Sequence, residues 1–202
     1  MMKKFVLKRF SLLLFAMIVI SCSSDNTNTS TTQTQFGIFR AVDQTTVEMN
    51  GEISSSTLTN FNSLIQNYPN INRINMINVP GSSDDDTNLQ VSALVYQRNI
   101  DTHLADNGEI ASGGTDFFLA GRTRTMGQNA RIGVHSWSNG TQEATDFPVG
   151  HSEHQRYINY YVSVGFTQAN AEAFYYYTIN AAPASSIHWM TAAEIQQYGI
   201  LR

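Results

Sequence analysis

Apolar positions along this 202-residue chain recur with two periods. Short β-branched and aromatic runs predict strands over Phe36 to Val42, Thr46 to Met49, Ile71 to Val79, Ile100 to Leu104 and Arg131 to His135. Asn50-Gly51 and Pro80-Gly81 close the second and third of these as turns. Between them the period changes. Leu58, Phe61, Leu64 and Ile65 mark one face of a helix that Ser54-Ser55-Ser56-Thr57 would cap and that runs to about Gln66. Leu89, Val91, Leu94 and Val95 mark another over Asn88 to Arg98, and Phe117 to Ala120 is a short apolar helical run. The last third is helical throughout: Tyr157, Tyr160, Tyr161 and Val164 repeat at helical spacing, and so do Ala171, Phe174, Tyr175 and Thr178. Thr191-Ala-Ala-Glu194 is a capping box opening a final helix to Tyr198. The tyrosines are expected to lay their rings on the sheet with hydroxyls near water; an oligomer contact or a substrate groove is the alternative use. Strands alternating with helices predict parallel βαβ units in an α/β layer fold, whose active loops lie at the carboxyl ends of the strands.

The first 21 residues stand outside this pattern. Lys3, Lys4, Lys8 and Arg9 precede an apolar run, Phe10 to Ile20, that is too short to span a bilayer and has the length of a signal core. It ends Ser21-Cys22, which resembles a bacterial lipoprotein signal with Cys22 as the acylated first residue of the mature chain; an ordinary secretory signal is the alternative. Acyl chains at Cys22 would hold the protein on a membrane, facing the periplasm or the cell exterior of a bacterial envelope. Residues 22–35 are rich in Ser, Thr, Asn and Gln and predict a flexible tether, leaving 36–202 as one folded domain.

Charge narrows the partners. Beyond the signal the chain holds eight arginines against sixteen acids, a net charge of −8 with histidines neutral. Nucleic acid and anionic lipid faces are poor partners for such a domain. All eight bases are arginine, so a Ser/Lys dyad, a Schiff base and a P-loop lysine are excluded from the mature chain. Cys22 is the only cysteine, which excludes internal disulfides and cysteine-based metal sites. No cofactor and no metal are expected.

Chemistry concentrates in Gly108 to His135. Ser112 sits on a small-residue turn, Ala111-Ser112-Gly113-Gly114, just before the apolar helical run, and His135 ends a later strand. A turn of that kind brings a serine hydroxyl and a free N–H toward one bound carbonyl. Asp84-Asp85-Asp86 reads as a solvated loop, with a divalent-cation site as the alternative. His151 and His154 share a helix face and read as a solvent-facing first turn, with zinc as the alternative.

Five segments in order resemble the ClpP/crotonase superfamily and, within it, the ClpP-like serine peptidases. They are Val47-Glu-Met-Asn-Gly-Glu-Ile53, Ile74-Asn-Met-Ile-Asn-Val-Pro-Gly81, Gly108-Glu-Ile-Ala-Ser112-Gly-Gly, Ala130-Arg-Ile-Gly-Val-His135 and Trp189-Met-Thr-Ala-Ala-Glu-Ile-Gln-Gln-Tyr-Gly-Ile200. The resemblance covers roughly Thr46 to Leu201. It implies a spiral core of ββα repeats with helices packed on the sheet and a helical C-terminal third. It also implies Ser112 as nucleophile, His135 as general base, and the N–H groups of Ser82 and Gly113 as oxyanion donors. Ser82 replaces the family's second loop glycine. The family's aspartate falls at Ile187, or in some relatives at Ser186, and neither is a carboxylate. Ser186 as a weak third member of the triad, an acid from elsewhere (Asp116 or Asp146), or a poorly catalytic relative are the three ways to read that gap.

The function so implied is a membrane-anchored serine hydrolase acting on peptide or another acyl substrate, with a homo-oligomer suggested by the family. A catalytically impaired binding or envelope-assembly lipoprotein is the alternative. A coenzyme A thioester reaction of the crotonase type fits an exported chain poorly, since that cofactor is cytoplasmic.

Overall fold

The computed structural model describes residues 33–202, so the predicted signal, Cys22 and most of the predicted tether lie outside the described residues. Eight strands form one sheet: β1 (Gln35–Phe36), β2 (Phe39–Ala41), β3 (Thr46–Met49), β4 (Arg73–Val79), β5 (Asp101–Ala111), β6 (Arg124–Met126), β7 (Arg131–Val134) and β8 (His188–Trp189). Their order is β1-β2-β3-β4-β5-β7-β8, with β6 also paired to β5. The centre, β3 to β7, is parallel, and the edges, β1, β2 and β8, are antiparallel. Six helices connect and cover it: α1 (Thr57–Asn67), α2 (Asp85–Gln97), α3 (Gly113–Leu119), α4 (Ser152–Ser163), α5 (Gln168–Ala181) and α6 (Ala192–Gln197). This is the mixed α/β architecture that the alternating periods predict. Among the described residues no helix is long and apolar enough to cross a membrane.

Three elements differ from the expectation. The single strand expected over Phe36 to Val42 is a hairpin, because Gly37 takes φ +59° and turns the chain so that Phe36 pairs with Phe39. Strand β1 also begins at Gln35, the last residue of the expected tether. The short strand expected at Ile100 to Leu104 continues to Ala111. Its polar middle, Ala105-Asp106-Asn107-Gly108, is a kink: Met76 pairs with Leu104, yet Asn78 pairs with Glu109, so β5 carries extra residues against β4. Asn107 takes φ +57° there. The first half of β5 pairs with β6 and the second half with β7.

The registers align the strand ends. Val79 pairs with Ile110, and Ala111 pairs with Gly133. The chain therefore leaves β4 at Pro80-Gly81, β5 at Ser112 and β7 at His135 along one edge of the sheet.

The C-terminus is fastened by a buried arginine. Arg124 on β6 is 2% exposed and donates from its guanidinium to the carbonyls of Leu119, Gly199 and Ile200. The cation also lies 5.4 Å from the Phe166 ring centre. Burial lowers its pKa to about 9. Only a planar fork reaches three carbonyls at once. Arg124→Met, which keeps the stem but leaves those carbonyls without donors, is expected to cost about 3 kcal/mol or more, read from the urea midpoint. Arg124→Lys is expected to recover less than half of the loss.

Candidate active site

Ser112 occupies the junction between β5 and α3 with φ +53° and ψ −129°. A serine in this region of backbone space is strained by roughly 1–3 kcal/mol, and such residues persist only where the surroundings over-determine them. Here they do. Ser112 N–H donates to the Gly133 carbonyl at 3.2 Å, and its own carbonyl accepts from Thr115 and Asp116 in the first turn of α3. Thr115 Oγ1 donates to the same Gly133 carbonyl at 2.8 Å, and Asn88 Nδ2 on α2 donates to the Gly113 carbonyl at 2.9 Å. Both side chains are buried. The glycines after Ser112 permit the packing: a Cβ on Gly114 would collide with the Val79 carbonyl, and one on Gly113 with Ser82 Oγ.

The same contacts place the loop after β4 beside Ser112. Gly81 lies against Ser112, a Cβ there falling 3.3 Å from Ser112 Cβ. Ser82 follows, bridged in parallel to Ile53. The N–H groups of Ser82 and Gly113 have no acceptor among the described residues. Ser82 Oγ is occupied elsewhere: it donates to Asp85 Oδ1. That bond ties the Ser82 side chain to the first turn of α2.

His135 follows β7 and is half-buried. Its Nδ1 lies 2.6 Å from the Ser136 carbonyl. A carbonyl only accepts, so in the neutral ring Nδ1 carries the proton and Nε2 is left as the acceptor. Ser112 and His135 line one narrow cavity of about 40 Å³, room for a few waters, together with Asp85, Asp116, Trp137, Tyr157, Tyr161 and Tyr175. No hydrogen bond joins Ser112 Oγ to His135 here; such bonds often close only with substrate in place.

Ser186 is not among the residues that line this cavity. It is exposed, and its N–H donates to the Pro183 carbonyl. Ile187 is also exposed, at 41%. Asp146 is exposed and closes a capping box with Glu143 on a short 3-10 turn, Ala144–Asp146. Among the described residues no carboxylate is hydrogen-bonded to His135, and the Ser136 carbonyl fixes its tautomer instead. Asp116 is different. It lies one turn after Ser112, lines the same cavity, and accepts the Tyr161 hydroxyl at 2.7 Å. Burial raises its pKa to about 7; the Tyr161 hydrogen bond opposes that shift and the charge of Asp85 adds to it.

The acidic run and the histidine pair are corrected by the fold. Asp84 is not in a solvated loop but is the N-cap of α2, accepting from Thr87 N–H and Oγ1. Asp85 turns into the cavity, where Tyr157 donates to its Oδ2 at 2.7 Å. Asp86 stays exposed and pairs with Arg156 at 3.0 Å. His154 is buried, not solvent-facing. Its Nδ1 lies 2.7 Å from the Tyr175 hydroxyl, and its Nε2 lies 3.2 Å from the carbonyls of Phe147 and Pro148. Carbonyls at Nε2 place the ring proton there. Trp137 Nε1 donates to the Tyr175 oxygen at 3.0 Å, and Tyr175 in turn donates to His154 Nδ1. The tyrosine hydroxyls expected near water are thus bound within the protein, and burial raises the pKa values of Tyr157 and Tyr161. Trp137, Tyr157 and Tyr175 stack as one aromatic wall. The helical spacing of the sequence marks Tyr157 and Tyr175 but gives no sign of Trp137. The pairing of Tyr157 with Asp85 and of Tyr161 with Asp116 had no sequence signal, because each pair spans distant segments.

Two outcomes test this geometry. Ser112→Gly relieves the positive φ and is expected to raise stability by about 1 kcal/mol in urea denaturation, whereas Ser112→Ala keeps the strain and is expected to shift stability by less than half as much. Asp116 has a folded pKa above its unfolded value, so between about pH 4 and 7 the native state binds the extra proton. Its contribution falls as pH rises through that window and is flat above it. Asp116→Asn keeps the acceptor for Tyr161 and removes the titration. The variant is expected to gain on the parent by up to about 4 kcal/mol between pH 4 and pH 8.

No family model matches the sequence, and no curated protein does. Solved structures do match. A mutant of ClpP1 from Listeria monocytogenes aligns with a TM-score of 0.52 at 20% identity over 79% of this chain and 90% of that one. ClpP1 itself gives 0.51 at 17% over 79% and 89%. A mutant of the membrane-bound stomatin-specific protease 1510-N, solved with a substrate peptide, gives 0.51 at 20% over 77% and 71%. At such identities the likeness is one of fold, and the fold of this chain is ClpP-like.

Proposed function

We propose that this chain is a serine hydrolase of peptides, held at a bacterial envelope membrane through acylated Cys22. The observation that carries the reading is Ser112 held at positive φ on the strand–helix junction, sharing a cavity with a histidine whose Nε2 is free to accept. In this reading Ser112 Oγ attacks the substrate carbonyl carbon and its proton passes to His135 Nε2. The oxygen that gains charge is held by the N–H groups of Ser82 and Gly113. The C–N bond then breaks as His135 returns the proton to the leaving amine, and water, activated by the same nitrogen, releases the acyl group. The described residues give His135 a carbonyl rather than a carboxylate as its Nδ1 partner, so a modest rate follows: disabling the acid of a triad costs about 10⁴ in other serine hydrolases. The same observation favours the second reading, a ClpP-like scaffold that binds peptides without cleaving them. The fold also suggests a homo-oligomer. The buried tyrosines of α4 and α5 are engaged inside the protomer and leave that contact to other surfaces.

Reaction of the purified residues 22–202 with a fluorophosphonate, read by intact mass, separates the two readings. A single adduct that is absent from Ser112→Ala is the expected result. No adduct on a folded protein, or an adduct that survives Ser112→Ala, overturns the hydrolase reading. For the anchor, Cys22→Ser is expected to move the full-length protein from the membrane pellet to the soluble fraction, and continued pelleting overturns it.

A further inference from the structure

The cavity beside Ser112 has an unusual lining for a site that would accept a peptide side chain. Aromatic and aliphatic side chains, Trp137, Tyr157, Tyr175 and Ile179, make up much of its wall, with Thr115 and Thr178 between them. Into this apolar slot the fold sets the carboxyl of Asp116. Its backbone N–H donates to the Ser112 carbonyl at 3.2 Å, which fixes it one helical turn, about 5.4 Å of rise, from the nucleophile. Tyr161 occupies Oδ1, and Oδ2 has no donor among the described residues. Asp85 lines the same cavity, but both its oxygens are occupied, by Ser82 and Tyr157. No arginine or histidine is hydrogen-bonded or ion-paired to Asp116 among the described residues, so the carboxyl is a half-buried acid without a counter-charge. Such a group is costly unless something neutralises it, and here a proton does so in part.

We propose that Asp116 is a specificity-determining residue that selects a slender cationic side chain, lysine above all, on the substrate residue whose carbonyl Ser112 attacks. The inference rests on the hydrolase reading above. A residue acylating Ser112 presents its side chain to the cavity that adjoins Ser112. A four-methylene stem spans about one helical turn, packs on the aromatic wall, and delivers an ammonium to Asp116 Oδ2. The apolar length suits the stem and the acid suits the tip, the division of labour found in long cationic side chains. The cavity's narrowness favours a compact ammonium over the broader planar guanidinium. A neutral side chain of the same length fills the slot but leaves the acid unpaired. An acidic one adds a second negative charge beside Asp116.

Diphenyl phosphonates bearing a lysyl or a norleucyl side chain test this, since the two differ only in the terminal charge and report on Ser112 without requiring turnover. Each is compared, by intact mass, with a plain fluorophosphonate. The lysyl probe is expected to modify Ser112 at least tenfold faster than the norleucyl probe, and Asp116→Asn is expected to bring that ratio to about one. If the fluorophosphonate reacts but the norleucyl probe matches or outpaces the lysyl probe on the unmodified protein, the selectivity proposal is overturned and the hydrolase reading stands. If the lysyl preference persists in a folded Asp116→Asn variant, the selectivity lies elsewhere and Asp116 is not its source. If no probe modifies Ser112, the hydrolase reading fails and the selectivity proposal falls with it. A lysyl-to-norleucyl ratio of one or less on the unmodified protein overturns the proposal even if the variant does not fold.

Discussion

The site hangs from the carboxyl end of β5. Among the described residues that strand is the longest in the sheet and the only one that pairs with three others, β4 along one side and β6 then β7 along the other. Its last residue, Ala111, is level with Gly133, and the next peptide is tied to the Gly133 carbonyl. The chain must then enter α3 at once, with Gly113 and Gly114 buried against Ser82 and Val79. No relaxed backbone satisfies both constraints, so the positive φ falls on Ser112. The strain is the geometric consequence of joining a central strand directly to a buried helix, and it leaves the serine at the strand–helix corner on the wall of the cavity.

Around this corner the protein invests its buried polar chemistry. Thr115 ties the turn to β7 and Asn88 braces it from α2, Tyr161 caps Asp116, Tyr157 caps Asp85, and the Trp137–Tyr175–His154 chain stiffens the aromatic wall. Each donor in that chain meets an acceptor. A fully satisfied network of this kind specifies one arrangement, because any slip leaves a buried polar group alone. Arg124 performs the equivalent task at the far end, holding the last residues to β6 and to the loop after α3.

Several of these features were legible in the chain. The Ser112 turn, the strand ending at His135, the capping box at Thr191 and Glu194, and the faces of α1, α4 and α5 all depend on neighbours within a few positions, where periodicity and turn chemistry operate. The second half of β5 was not legible, because Ala105 to Gly108 has the composition of a loop and only pairing with β4 and β7 holds it as strand. The roles of Asp85 and His154 have no local signal for a related reason. A short acidic run and a histidine pair near a helix start look solvated unless the tyrosines that cover them, some 70 and 20 residues away, are already placed.

The sequence by itself therefore determined the alternation of strand and helix, the absence of lysine after Lys8, the turn that carries Ser112 and the order of the five segments. All of these are local or compositional properties. Only the tertiary structure decided the hairpin at Gly37, the partner of His135 Nδ1, the exposure of Ser186, and the enclosure of Asp116 beside Ser112. Those depend on which distant segments share a register and how much water their packing removes, and neither quantity is written in any short stretch of residues.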